Sequence, residues 1–594
     1  MITDFLPISQ EDLKKLGWEE LDVIIVSGDA YVDHPSYGPA LIGRVLESNG
    51  FKVGIIAQPN WRNLDDFRKL GRPKLFFAIT SGNTDSMVAN YTANKRPRKN
   101  DDYSPGAKSG LRPDRALIVY ANKVREAYRD CPIVLGGIEA SLRRLAHYDY
   151  WDNDVRRSVL LDAKADILIY GMAETPIVTL AKRLNQKEDI RLINDIRGTV
   201  VVRKEINFLK DYLEIPSFEE VKEDKLKFNA AFKEIYCQMN PFKAKAIAQK
   251  HADRFLVQLP PAYPLTTEEL DKIYGLDFVR NWHPTYDKAG GIKGFETVRF
   301  SINSHRGCCG NCSFCSLSMH QGRIVQSRSE ESVLKEARLL SQRKDFRGTI
   351  TDVGGPTANL YKAHCGLWEK QGFCGTKNCL TPEKCANLKL GYKESLELYK
   401  KISELPGVKH VFIGSGLRYD LLTDDYAQGY LEKICQSHIS GQMKVAPEHV
   451  IDKILKIMNK PAFSSYEKFL HRLGTVNKKI NKKIYLVNYF ISSHPGSNLK
   501  EALDLALYLS KHKIHPEQIQ DFMPLPMTLA GCVYYTGINP FTGEEVYSAK
   551  TFKERKMQRA LIQYDNPKNR ELIREALRIL KAEHLMHKFP RIKN

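Results

Sequence analysis

Apolar residues fall along this chain in short unbroken runs that alternate with amphipathic stretches, the pattern of buried parallel strands separated by helices. Leu21–Val26, Lys52–Ile56, Lys74–Ile79, Pro132–Leu135 and Asp166–Tyr170 are predicted strands, and Pro39–Asn49 is a predicted helix. Parallel α/β construction follows, with the strand carboxyl ends as the ligand edge. Between the third and fourth of these strands, Thr84–Pro113 is rich in Asn, Asp, Lys, Pro and Gly and reads as a long surface excursion. From about Pro216 to Asp287 the chain turns lysine-rich and helical, broken at Pro260-Pro261, and reads as a linker.

A second alternating run begins at Thr297–Ile302 and continues through Gly348–Val353, His410–Gly414, Gln442–Ala446, Ile484–Ile491 and Gln518–Met523. Helical spacing fills the stretches between, as in Glu330–Leu340 and Lys393–Ile402. Six β/α units make a partial parallel barrel with its active face at the strand C-termini. Near the end, Leu572, Ile573, Ala576, Leu577 and Leu580 lie on one face of a predicted helix over Asn569–Ala582, and the last dozen residues, basic and unpatterned, are expected to be disordered. The fold class is therefore α/β. A Rossmann-like domain is expected over 1–215, a helical linker over 216–290, a partial (β/α)6 barrel over 291–538 and a basic helical extension over 539–594.

At 594 residues the chain needs two or three cores, and 42% hydrophobic with 27% charged residues is ordinary for a globular protein. No apolar run is long enough to span a membrane. Met1–Pro7 has neither a basic nor a long apolar segment, so secretion is not expected. Of twelve cysteines, seven lie between Cys308 and Cys379, a clustering that favours metal over disulfides and a reducing, cytoplasmic setting. The net charge of +20 invites a polyanion, and an RNA-binding protein stabilised by an iron-sulfur cluster or zinc is the competing class. The basic residues are scattered, however, with no zinc-finger, RRM or KH signature beside them.

Chemistry concentrates in Cys308, Cys312 and Cys315, spaced C-x3-C-x2-C directly after the first barrel strand. Three thiolates on such a loop can hold three corners of a cubane iron-sulfur cluster and leave the fourth iron open. Structural zinc would need a fourth ligand, for which the adjacent Cys309 is badly placed. Gly354 and Gly355, at the end of the second barrel strand, let backbone carbonyls approach a bound group. Ser415 and Arg418 after the third strand, and Glu448 after the fourth, supply groups for a ribose and an amino-acid carboxylate. Cys365, Cys374, Cys379 and Cys385 form a second group that could take an auxiliary cluster or zinc, or simply pack a loop.

The cysteine motif with Phe314 before its last ligand, the Gly-Gly turn and the strand order resemble the radical S-adenosylmethionine (SAM) enzymes. More narrowly, Ser415–Arg418, Val445–His449, Tyr489–Gly496, Phe522–Pro526 and Tyr534–Gly537 resemble the YgiQ-like radical SAM proteins over nearly the whole chain. The resemblance implies a 4Fe-4S cluster on Cys308, Cys312 and Cys315, SAM chelated at the open iron, Phe314 against the adenine and the carbonyls of Gly354 and Gly355 near the methionine ammonium. Pro356 stands where a glutamate is common. It also implies an electron donor such as flavodoxin or ferredoxin, and a 5′-deoxyadenosyl radical that abstracts hydrogen from a substrate the sequence does not name. The N-terminal domain resembles cobalamin-binding domains, which raises a cobalamin-dependent methyltransferase as a further alternative. In Asp33-His34, however, the His adjoins the Asp where the cobalamin signature keeps one residue between them. Although Gly136, Gly137 and Gly171 could pass a nucleotide-like tail, cobalamin is not expected and a docking role is.

Overall fold

The computed structural model describes residues 4–375, 377–516 and 519–589. The chain divides into two compact units: Met1–Arg299 with Met319–Gly322 and Lys370–Gly372, and the remainder.

In the first unit the predicted strands form as β1 (Val23–Ser27), β2 (Val53–Ala57), β3 (Phe76–Thr80), β4 (Ile133–Leu135) and β5 (Ile167–Ile169). They pair in parallel in the order β2-β1-β3-β4-β5, with Val23 opposite both Val53 and Phe76. Their nearly continuous apolar sequences are what a parallel sheet buried on both faces demands. This doubly wound order reverses between β1 and β3, where such sheets open a ligand crevice.

The sheet then continues with β6 (Thr199–Arg203), β7 (Tyr212–Ile215), β8 (Ala246–His251) and β9 (Arg254–Gln258), extending the order as β5-β6-β9-β8-β7. Pairings β5/β6, β6/β9 and β9/β8 are antiparallel. The expected helical linker over 216–290 is thus corrected: helices Phe218–Glu223 and Lys225–Cys237 are present, but β8 and β9 are strands of the main sheet. Their pattern is masked because glutamines stand at buried positions. Gln249 accepts from Ala146 N and donates to the Pro216 carbonyl, and Gln258 accepts from Arg144 Nε at 2.6 Å.

Thr84–Pro113 is also not a free excursion. It begins with helix Ser86–Asn90, capped by Asp85, forms bridges Tyr91↔Pro97 and Asn100↔Lys108, and ends by burying Arg112. Its middle, Arg96–Asn100, is exposed as expected, but Asp85 and Arg112 at its ends are buried against Arg143 and Asp29.

The second unit carries β10 (Ser301–Asn303), β11 (Asp352–Gly354), β12 (His410–Val411), β13 (Gln442–Glu448), β14 (Tyr485–Ser492) and β15 (Ile519–Asp521). Pairs β10/β11, β13/β14 and β14/β15 are parallel, Thr349–Ile350 pairs in parallel with β12, and a parallel bridge joins Leu417 to Val445. Six consecutive parallel strands, with helices between them, make the predicted arc. Gln518, expected at the start of the last strand, lies outside the described residues.

After the barrel, helices Phe552–Ile562 and Arg570–Ile579 pack Met557, Leu561, Ile573 and Leu577 against Leu505 and Leu509 of helix Leu499–Lys511. The expected disorder of the last dozen residues does not hold as far as Phe589, which is fully buried. Residues 590–594 lie outside the description. Leu577→Ala is expected to destabilise this unit by about 2–5 kcal/mol, read as a lower denaturant midpoint, because Leu577 has no solvent to fall back on.

Candidate metal centre

The cysteine loop leaves β10 and is pinned at its neck by a two-residue antiparallel ladder, His305–Arg306 with Gln326–Ser327. Gly307 takes φ +77° and Asn311 φ +48°, left-handed turns that fold the loop back on itself. A Cβ on Gly310 would come 2.5 Å from Arg418 Nη1, so the glycine admits the guanidinium to the cysteines. Arg418 Nη1 lies 3.8 Å from Cys312 Sγ, while Asp420 holds the other edge at 2.8 and 3.1 Å.

The three thiols lie close enough to act on one another. Burial and then the Cys312 sulfur push the Cys308 thiol up, against the pull of Arg418, and the same two influences push Cys315 up to about 12. Protons are hard to remove from such a cluster of sulfurs unless a cation replaces them, which is the donor chemistry that iron requires. Among the described residues no three metal-binding side chains converge tightly enough for a single ion.

The partners expected for SAM are distributed differently. The Gly354 carbonyl is engaged by Ser304 N at 2.7 Å, continuing the β10/β11 ladder, which corrects the expectation that it faces a ligand. A Cβ on Gly355 would come 2.7 Å from the His305 ring and carbonyl, so this glycine answers to a close backbone approach. Ser415, expected at the cofactor, donates its hydroxyl to Asp352, whose other carboxylate oxygen accepts Gly414 N at 2.8 Å and Ser415 N at 3.0 Å. Arg418 does reach the cysteines. Phe314 sits edge-on to His494, with centroids 5.8 Å apart.

Sequence reasoning missed Asp420, Asp352 and His494 as parts of the site. Asp420 follows Arg418 by two residues and is a visible partner, whereas Asp352 and His494 join the site only through folding. Glu448 takes φ +67° at the end of β13, and burial pushes its carboxyl up to about 7 against the pull of Lys460 and Arg418.

The second cysteine group is not gathered into a single-ion site either. Cys365 is buried, and Cys379 hydrogen-bonds the buried Cys309, an engagement that with Arg323 and Trp368 draws Cys379 down to about 7. Next to it, Asn378 Oδ1 accepts from Asn311 Nδ2 at 2.9 Å, so this segment braces the cluster loop.

At the β1/β3 crevice of the first unit the chain's own side chains fill the space. Arg112 donates to the Gly28 carbonyl at 3.1 Å and to Asp29 Oδ1 at 2.5 Å, and its other nitrogen lies 3.1 Å from Asp101. Arg112 and Asp29 have no side-chain exposure. His34 is buried and its Nδ1 accepts from Ser36 N, while Asp33 is ion-paired with Arg44. Beyond β5, Gly171 N donates to Ser141 Oγ, which also meets His320 Nδ1 at 2.9 Å.

A cysteine loop at the carboxyl ends of a six-stranded parallel arc accompanies a family match that makes this chain a radical SAM enzyme. Residues 302–509 match the Radical SAM superfamily, residues 5–301 match Radical SAM N-terminal, and residues 517–588 match a domain of unknown function, DUF3362. The chain belongs to the UPF0313 family. It is 54% identical to a UPF0313 protein of Clostridium botulinum (strain 657 / Type Ba4) over 97% of this chain and 90% of the relative. It is 52% identical to one of Methanocella arvoryzae over 96% and 94%. Among solved structures it is similar to the radical SAM methyltransferase TsrM from Kitasatospora setae with cobalamin and a [4Fe-4S] cluster bound, at 14% identity and TM-score 0.49 over 86% of this chain and 73% of that one. It is also similar to the cobalamin-dependent SAM radical enzyme OxsB, at 10% and 0.48 over 97% and 77%. Family membership decides for an enzyme using a 4Fe-4S cluster, SAM and a reductant over the RNA-binding alternative. Among the described residues no helix is long and apolar enough to cross a membrane.

Proposed function

We propose that this enzyme abstracts hydrogen from its substrate at the mouth of the second unit's strand arc, with Cys308, Cys312 and Cys315 as the cluster ligands. The observation that carries this reading is the placement of three half-buried cysteines on one loop, with Arg418 Nη1 3.8 Å from Cys312 Sγ. The cluster and SAM together supply reductive cleavage of a sulfonium C–S bond, yielding methionine and a 5′-deoxyadenosyl radical.

The chain's own residues then have distinct tasks. Arg418, fixed by Asp420, offsets negative charge at Cys312. The Asp352–Ser415 pair ties the second strand end to the third and holds the turn that carries Gly355. With the Gly354 carbonyl engaged, backbone reception of the methionine ammonium falls to Gly355. Phe314 offers a flat face for the adenine. The electron donor is a low-potential carrier such as flavodoxin or ferredoxin, and the enzyme works in the cytoplasm.

The residues of the first unit do not fit a corrinoid. The Arg112–Asp29–Asp101 cluster fills the switch-point crevice, His34 is buried against its own turn, and Ser141 with His320 occupies the space beyond β5. These contacts support a docking domain without cobalamin, and the Cys309–Cys379 engagement supports reading the second cysteine group as packing.

The test is anaerobic reconstitution with iron and sulfide, addition of SAM and dithionite, and chromatography of the products. 5′-Deoxyadenosine is expected, and its absence while the cluster is spectroscopically intact would overturn the proposal.

A further inference from the structure

The segment Tyr489–Gly496 resembles its family counterpart but receives no role from the cysteine chemistry, and it places His494 directly behind the cluster loop. The His494 ring is wholly buried. Its Nδ1 lies 2.8 Å from the Pro495 carbonyl, which can only accept, so Nδ1 carries the hydrogen. Burial holds the ring neutral, down at about 4. Nε2 is then an acceptor, and Ser313 Oγ, 3.4 Å away, donates to it. The ring meets Phe314 edge-on at 83° and Phe522 at 5.1 Å and 65°.

Ser313 and Phe314 are the two residues between the second and third cysteines. The Ser313 backbone is clamped on both sides, its N–H donating to the Met458 carbonyl at 3.0 Å and its carbonyl accepting from Ala530 N at 2.9 Å. The main chain of the loop is therefore held without His494. What His494 adds is an acceptor for the Ser313 hydroxyl and an edge-on contact to the Phe314 ring.

We propose that His494 is a positioning residue for SAM, acting through Phe314 by fixing the ring on which the nucleoside rests. This rests on the assignment of Phe314 to the adenine side. An edge-to-face pair is worth enough to bias one ring orientation strongly over others, so loss of the imidazole frees Phe314 and weakens nucleoside binding while leaving the cysteines in place.

The experiment measures SAM binding to reconstituted, unreduced holoenzyme by equilibrium dialysis, with iron and sulfide counts and the electron paramagnetic resonance spectrum of the reduced cluster with and without SAM. His494→Ala is expected to keep full iron and sulfide, to bind SAM about tenfold more weakly and to lose part of the SAM-induced spectral change. His494→Phe, which keeps the ring contacts but not the hydrogen bonds, is expected to recover most of the affinity. Wild-type affinity in His494→Ala with a full cluster overturns the proposal, and so does loss of iron in both variants, which would make His494 a support of the cluster itself. Phe314→Ala separates the two levels. If it leaves SAM affinity unchanged, the adenine assignment fails; if it weakens binding while His494→Ala does not, only the role of His494 fails.

Discussion

Alanine at Cys308, Cys312 or Cys315 is expected to abolish 5′-deoxyadenosine formation in reconstituted protein. On the proposed reading each thiol holds one corner of the cluster, and Arg418, whose Nη1 lies 3.8 Å from Cys312 Sγ and which also pulls on Cys308, offsets the charge of that group. The neck at His305–Arg306 and the clamp on Ser313 leave the loop no freedom to recruit Cys309, whose side chain is engaged with Cys379 on the far side. The single variants should accordingly lose most of their iron, and the triple variant should hold none. Iron retained at cluster stoichiometry by the triple variant would place a second centre on Cys365, Cys374, Cys379 and Cys385, contrary to their packing. Arg418→Lys makes a finer comparison, since a lysine cannot hold Asp420 with a two-pronged fork and also reach Cys312. It should retain the cluster but slow SAM cleavage, measured as the single-turnover rate.

The readable parts of this molecule are those in which the chemistry is contiguous. Val23–Ser27 and Phe76–Thr80 announce themselves because a parallel strand covered on both faces must be apolar throughout, and the cysteine triad does so because one loop supplies every ligand. Partners that are far apart in sequence were illegible. Ser415 looked like a free hydroxyl after a strand, but Asp352, 63 residues away, takes it. Gly354 looked like a ligand contact, yet its carbonyl completes a ladder with a strand whose exact end the sequence does not reveal. The hairpin Ala246–Gln258 escaped because Gln249 and Gln258 are buried, each accepting from a residue more than a hundred positions distant, so their burial left no apolar signature. Periodicity reports which face is dry. It does not report which polar groups have been brought inside with partners.

Arg112 is the case with the largest expected consequence for stability. Arg112→Met keeps much of the side-chain volume but leaves Asp29 and Asp101 facing each other inside the first unit without a cation. Removing one partner of a buried ion pair costs about 3–5 kcal/mol, enough to consume much of a domain's stability. The loss has a defined pH dependence. Burial already pushes the Asp29 carboxyl up to about 6 while Arg112 pulls it down, so without the guanidinium it must rise further. A carboxyl whose folded value lies above its unfolded one binds its proton more tightly when folded, so it favours the fold at low pH and opposes it as pH rises through the folded value. The gap between wild type and Arg112→Met, taken from the first guanidinium-induced unfolding transition, should therefore be smaller at pH 5 than at pH 8. A gap independent of pH would mean that Arg112 acts by packing alone. As a proposed docking domain without cobalamin, the first unit should retain none: wild-type protein desalted after incubation with hydroxocobalamin should carry no corrinoid absorbance. Stoichiometric retention with shifted bands would show that the 84–113 segment opens, and that Arg112 closes a crevice which the enzyme uses.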